Sequence, residues 1–283
     1  MAPLEEPGEG SEKRERKGRP EVSGKFIISY DVGTGGSKAV LTDLEGKIIS
    51  YRFEPYSTEY PRPNWAEQDP EDWWKAVTAS TRRLMEESEV EPEKVIGIGF
   101  ATQMLGVLPL DPSGNPICKA VIWLDCRAEE QACRLVRRLG GERVVARVAG
   151  AVPSGKDVIC KLMWLREHEP DAYSRTVKWL NVADYIAYRL SGVAATDYSL
   201  ASRTLALDLR QLRWDFNLIR DAGIEPSLFA DLAASGTRLG AILPDVATAT
   251  GLPRTTTIAT GGHDHVCAAL ALGAVTAKTV LDS

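Results

Sequence analysis

Short apolar runs alternate with glycine-bearing turns from residue 26 onward. Phe26–Asp31, Lys38–Asp43 and Lys47–Phe53 are three runs of strand length. The turn between the last two, Leu44-Glu45-Gly46, is short, so the three runs predict an antiparallel meander. A proline-rich loop, Glu54 to Gln68, follows and carries Trp65. Helix signals come next. Asp69 can cap, Pro70 suits the first turn, and Glu71 and Asp72 favour the positive helix end. Trp73, Trp74, Val77, Thr81, Leu84 and Met85 then recur at helical spacing.

The run Val95 to Phe100 reads as a buried strand, with Ala101 to Gly106 at its C-terminal end. Val107–Leu110 and Ala120–Trp123 read as strands joined through an Asp111-Pro112-Ser113-Gly114 turn. Helical patterning marks segments near 127–139, 157–168 and 182–191, whereas Tyr198 to Trp214 reads as irregular and polar. Thr256–Thr260 is strand-like, Gly261 to His265 a tight turn, and Val266–Ala274 a small-residue helix suited to close packing on a sheet. Lys278–Asp282 reads as one more strand. No fixed-period repeat is present.

Composition narrows the class. The 283 residues allow one large domain or two small ones, with ample core. At 44% hydrophobic and 26% charged residues, the chain has the make-up of a soluble globular protein. A net charge of −5 gives no basis for binding nucleic acid or an anionic membrane, and no apolar run approaches a membrane span. Residues 1–24 mix six acids with five bases among glycine and proline. They read as a disordered tail without the apolar centre of a signal peptide. The five cysteines are odd in number and form no Cys-x-x-Cys pair, which argues against a zinc site or disulfide framework and fits a reducing cytoplasm.

Candidate chemistry gathers at two strand ends. In Asp31-Val32-Gly33-Thr34-Gly35-Gly36-Ser37-Lys38, glycines let backbone N–H groups approach an anion, hydroxyls add donors and Lys38 adds charge. Asp31 could hold a magnesium ion beside that anion. The spacing fits neither Walker A nor the dinucleotide fingerprint, and a glycine-rich hairpin bend with Asp31 as a turn residue reads the segment equally well. Asp264 is a second glycine-flanked acid at a strand end, suited either to accept a proton or to cap the helix that follows. Its flanking His263 and His265 suggest a metal cluster only weakly, and His168, at the end of an apolar helix, reads as a surface or C-terminal-turn residue.

Four segments, in order, resemble the FGGY family of carbohydrate kinases, in the style of its xylulokinases. They are Asp31 to Lys38, Gln103-Met104-Leu105-Gly106, Trp123-Leu124-Asp125-Cys126-Arg127 and Gly261-Gly262-His263-Asp264-His265. Ala183 to Ile186 and Thr196 to Arg203 also read like the family. The resemblance implies an α/β, ribonuclease-H-like (actin-like ATPase) domain over residues 25–275, a mixed sheet with helices on both faces. It implies transfer of the ATP γ-phosphate to a sugar or polyol hydroxyl. Asp264 would be the general base and Asp31 would hold Mg2+. Thr34, Gly35, Gly36 and Lys38 would lie near the phosphates. Gln103, Met104, Leu105, Trp123, Asp125, Arg127 and His265 would contact, shape or support the sugar pocket, although core packing of Trp123 and a local Asp125–Arg127 ion pair would serve structure alone.

Two departures stand out. Xylulokinases typically carry histidine where this chain has Leu105, which removes a polar contact from the pocket. The chain also stops at Ser283, where the family continues into a second actin-like domain, so that residues 276–283 would begin that domain. A separate C-terminal kinase half is therefore an expected partner. The alternatives are a sugar-binding sensor without catalysis and an assembly partner derived from such a kinase.

Overall fold

Seven strands build the main sheet of the computed structural model, which describes residues 24–141 and 151–275. In chain order they are β1 (Phe26–Val32), β2 (Gly36–Asp43), β3 (Ile48–Pro55), β4 (Val95–Thr102), β5 (Arg238–Ala241), β6 (Thr257–Ala259) and β7 (Gly262–His263). Their order across the sheet is β5-β6-β4-β1-β2-β3, and β7 continues from β6 along the same edge of β4. The expected meander is present, with β1–β2 and β2–β3 antiparallel. β4 is parallel to β1 on one side and to β6 and β7 on the other. The sheet is therefore mixed. The proposed tail (apart from Gly24), the strand at 278–282 and the opening of a further domain lie outside the described residues.

Period-two patterning sets the faces. Phe26, Ile28, Tyr30 and Val32 of β1 are buried, while Ile27, Ser29 and Asp31 are not. Two helices cover the buried face. Pro70–Glu87 contributes Trp73, Val77 and Leu84, and Val182–Ser191 contributes Tyr185, Ile186 and Leu190. The Asp69 carboxylate caps the first helix by accepting from the Glu71 N–H at 2.9 Å. Tyr30 reaches the same helix through a hydrogen bond to Thr81. Helices stand on both faces but unevenly, because the opposite face is bordered by the Asp264–Ala271 helix and, among the described residues, is not covered at its centre.

A second core packs around the Val158–His168 helix, with Leu105, Trp179, Leu205, Trp214 and Phe229. It overturns the polar reading of residues 198–214. That stretch holds a short helix, Tyr198–Ser202, and a hairpin, Leu207–Asp208 with Arg213–Trp214, and it buries Leu200, Ala201, Leu205 and Trp214. Its apolar residues are spaced irregularly, so neither period reveals them. Leu108–Leu110 and Ala120–Val121 are strands but pair elsewhere, with Lys178–Leu180 and Glu67–Gln68. They meet each other only at the Val107–Val121 bridge.

The expected turn at Gly261–His265 is instead strand β7 followed directly by the first helical turn. The helix it opens leaves Val266 51%, Leu270 62% and Leu272 71% exposed, in place of the expected close packing. Among the described residues, no helix is long and apolar enough to cross a membrane.

Candidate functional site

β4 holds the two strand-end acids in a fixed relation. Asp31 of β1 and Gly262 of β7 both pair with Ala101 of β4, from opposite sides. Two inter-strand spacings, roughly 10 Å, therefore separate the lines that deliver Asp31 and Asp264 to one end of the sheet. Gly261 permits the close approach to β4, since a Cβ there would stand 2.6 Å from the Phe100 carbonyl oxygen.

Asp31 and Lys38 are register partners across the β1–β2 hairpin, with the Lys38 Nζ 4.0 Å from a carboxylate oxygen. Both side chains are about half exposed. Partial burial pushes Asp31 above the usual carboxylate range, Lys38 opposes that shift, and the charge of Asp264 adds to it. The two acids thus share one electrostatic field.

The turn between them is pinned through its carbonyl groups. Gly33 O accepts from the Tyr56 hydroxyl at 2.6 Å and from Gln103 Nε2 at 3.1 Å. Thr34 O accepts from Gln68 Nε2 at 2.6 Å and Thr58 Oγ1 at 3.1 Å, and Gly35 O from Tyr56 N at 3.3 Å. Gln68 is the hub. Its Nε2 also donates to Thr58 Oγ1 at 2.8 Å, and its Oε1 accepts from Trp73 Nε1 and Gln103 Nε2, each at 2.9 Å. A side chain at Gly36 has no room, because its Cβ would lie 2.7 Å from Glu54 O.

The remaining candidates are brought to the same end of the domain with different exposures. Gln103 is buried, tied to Gly33 and Gln68, with its Oε1 unpartnered. Met104 is half-buried between the two cores. Leu105 is buried with a left-handed φ of 57°, a conformation uncommon for leucine. The Trp123 indole donates to Thr34 Oγ1 at 2.8 Å, linking the Trp123 segment to the hairpin.

Asp125 and Arg127 form a buried ion pair, their side chains 0% and 3% exposed. The Asp125 carboxylate also takes the Ala66 N–H at 2.7 Å, and Arg127 reaches Glu67 at 2.7 Å while stacking over Trp65 at 3.7 Å. The pair braces the wall on which Trp123 stands and has no carboxylate free for a ligand.

Asp264 is the first helical residue; His263 occupies the cap position without a side-chain cap bond, so the capping alternative for Asp264 does not hold. The Asp264 carboxylate accepts from His265 N at 2.8 Å and lies 3.2 Å from His263 Nε2, with its side chain 37% exposed. His263 and His265 stack at 5.1 Å. Burial lowers the His263 pKa, with Asp264 opposing and His265 reinforcing the shift. The ligand atoms of His263, Asp264 and His265 come within 4.8 Å of one another, three consecutive residues held by the Asp264–His263 contact and the ring stack.

Three supports have no role in the sequence reading, although Asp197 and Ser199 fall within its Thr196–Arg203 segment. Asp197 accepts from Ser199 Oγ at 3.1 Å and Ser235 Oγ at 2.5 Å, and Ser199 Oγ in turn accepts the His263 N–H at 2.8 Å, anchoring β7. Gln68 is the hub already described. Lys161 is buried and donates to Leu105 O at 2.9 Å and Ile122 O at 2.7 Å, fastening the Leu105 and Trp123 segments together. Burial depresses its pKa to about 7. A lysine inside the apolar Val158–His168 run was the one available signal.

Comparison with known proteins bears on family and fold. The profile of the FGGY family of carbohydrate kinases, N-terminal domain, matches residues 26–271. A xylulose kinase of Bacillus subtilis (strain 168) is 30% identical over 259 residues, 92% of this chain and 52% of that protein. A glycerol kinase of Thermococcus onnurineus (strain NA1) is 30% identical over 215 residues, 75% of this chain and 43% of that protein. Among solved structures, the xylulose kinase from Rhodospirillum rubrum superposes with a TM-score of 0.84 at 26% identity, covering 89% of this chain and 51% of that one. The gluconate kinase from Lactobacillus acidophilus gives 0.80 at 26%, covering 86% and 48%. The chain spans about half the length of the curated relatives it matches. The actin-like fold and the matched profile establish that this chain belongs to the FGGY family of carbohydrate kinases and carries its N-terminal domain.

Proposed function

We propose that this chain supplies the sugar-binding, proton-accepting half of an ATP-dependent carbohydrate kinase. The observation that carries the reading is the placement of Asp31 with Lys38 and of Asp264 on the two flanks of β4, at one end of the sheet. The acceptor is a sugar or polyol, bound against Met104 and Trp123. Leu105 is buried in the second core and offers the acceptor no side-chain hydrogen bond.

The residues fit magnesium and phosphate. Asp31 is a half-exposed carboxylate next to one cation. The carbonyls of the 33–35 turn are engaged by donors from within the domain, which favours amide hydrogens as the face offered to an anion. Asp31 would hold Mg2+, with Thr34, Gly35, Gly36 and Lys38 near the phosphates; bound magnesium neutralises charge that builds on the phosphate oxygens. Asp264 accepts the proton of the acceptor hydroxyl as its oxygen bonds to the γ-phosphorus. The bond from that phosphorus to the ADP oxygen breaks, and ADP leaves with the electron pair. Gln68 and Lys161 hold the turn and pocket in register during the transfer, and closure by a second domain excludes water.

The test joins this chain to a C-terminal half, taken from the Bacillus subtilis xylulose kinase, and measures ADP release over a panel of ketoses, aldonates and polyols. Sugar-dependent ADP release that disappears in Asp264→Asn is the expected result. Sugar binding without any ATP response across the panel would overturn the reading.

A further inference from the structure

His263, Asp264 and His265 turn three ligand atoms toward one spot, and the fold holds two of them there. His263 ends β7, pairs with Thr102 of β4, and donates its N–H to Ser199 Oγ at 2.8 Å. Its ring is buried, and its Nε2 makes no hydrogen bond although Asp264 Oδ1 lies 3.2 Å away. The same Oδ1 accepts the His265 N–H at 2.8 Å, which fixes the carboxylate, and stands 3.9 Å from His265 Nε2. A buried ring nitrogen without a hydrogen bond has lost its water and gained no partner, and a cation beside the carboxylate would supply one.

Distances and donor chemistry select the ion. A tetrahedral zinc ion holds imidazole nitrogen and carboxylate oxygen at about 2.0–2.2 Å, so its ligand atoms stand about 3.3–3.6 Å apart. Here two of the separations are 3.2 and 3.9 Å, and all three lie within 4.8 Å. The remaining closure falls on His265, whose side chain is half exposed. Its ring lies 9° from parallel with that of His263, and an ion shared by both ring planes requires His265 to turn out of the stack. Two imidazoles and one carboxylate suit zinc and similar first-row cations, whereas magnesium prefers oxygen ligands and so suits Asp31. The charge of Asp197 reaches His263 and favours a cation there, against that of Arg203.

We propose that His263, Asp264 and His265 form an inhibitory site for a transition-metal cation of the zinc class. The inhibitory part rests on reading Asp264 as the proton acceptor; the binding part does not. The cation takes a lone pair of Oδ1 and draws charge from the carboxylate, which then no longer accepts the hydroxyl proton. Asp31, on the far side of β4 and roughly 10 Å away by strand spacing, stays available to magnesium.

Zinc titration calorimetry on the chelator-stripped chain tests the site without any second half. One zinc ion per chain is expected, bound at least tenfold more weakly by His265→Gln and by His263→Gln. Asp31→Asn and His168→Gln should stay within about threefold of the parent, since neither removes a ligand. The ring signals of His263 and His265 should shift together in NMR spectra as zinc is added, and cobalt in place of zinc should give no thiolate charge-transfer band. Unchanged affinity in His265→Gln, whose half-exposed position tolerates the change, would overturn the site. So would a thiolate band, which would put Cys267 or another cysteine on the ion. In the chain joined to the C-terminal half of the Bacillus subtilis xylulose kinase, buffered free zinc should slow sugar-dependent ADP release, with half-inhibition at least tenfold higher in His265→Gln. Zinc that binds as expected and leaves ADP release unchanged would overturn the inhibitory role. A joined protein that releases no ADP even without zinc would count against the kinase reading, and the titration would still decide the site.

Discussion

Asp264 raises the pKa of Asp31 across the width of one strand, because both acids are delivered to the same sheet end on the two flanks of β4. In Asp264→Asn that repulsion is gone. Asp31 should then titrate at lower pH than in the parent chain, while partial burial still holds it above an exposed aspartate. Carboxyl-carbon NMR of the two proteins measures this, and an unchanged Asp31 midpoint would show that the carboxylates do not share a field.

Asp264 makes local contacts only, with His263 and His265. Its replacement by asparagine should therefore change the unfolding free energy by less than about 0.5 kcal/mol. In the chain joined to a C-terminal half, the same change should lower kcat by roughly 10²–10⁴-fold, the range for loss of the general base proposed above. Urea unfolding and single-turnover kinetics separate the two effects. A fully active variant would remove Asp264 from the chemistry.

Gln68 is 1% exposed and fills all four of its hydrogen-bonding positions. Gln68→Leu keeps its bulk but leaves Thr34 O short of a donor and strands the Trp73 Nε1 and Gln103 Nε2 protons. The expected loss is about 2–3 kcal/mol in urea unfolding. Magnesium-phosphate binding to the remaining folded protein should also weaken, since the 33–36 turn loses its brace. A loss below the measurement error would mean that water replaces the hub without cost.

Two buried groups predict opposed pH slopes. Burial raises Asp184 from 3.8 to about 7, so the folded chain keeps its proton longer than the unfolded chain. That contribution is complete below pH 3.8 and is lost as pH rises to about 7. Lys161 is depressed from 10.5 to about 7, so its contribution is present above pH 10.5 and is lost as pH falls to about 7. Each slope is worth at most about 5 kcal/mol. Asp184→Asn should flatten the acid window and Lys161→Met the alkaline one in denaturation series across pH. If either variant keeps the parent's slope, its group is not the source.

Much of this was legible in the primary structure, for a physical reason. The antiparallel meander, the helix after Asp69 and the strand from Val95 follow period-two and period-3.6 patterning within short windows. Asp31, Lys38 and Asp264 were visible because a charged residue among glycines at a strand end is a local signal. Gln68 and Lys161 were not, because their partners lie far along the chain. Gln68 bonds Thr34 across 34 residues and Gln103 across 35, and Lys161 reaches Leu105 across 56. No local spacing encodes such contacts. The 198–214 segment was misread for a similar reason, since Leu205 and Trp214 find their burial against the Phe229 region and not within their own stretch.

β4 serves as a ruler. Because both acids hang from its two edges, the gap between them is a dimension of paired backbone, and hinge bending elsewhere cannot widen it. A moving second body could alter only what arrives at this edge and when. On the kinase reading proposed above, tuning the rate by evolution would then fall to residues of that arriving body, while the span between Asp31 and Asp264 stays constant.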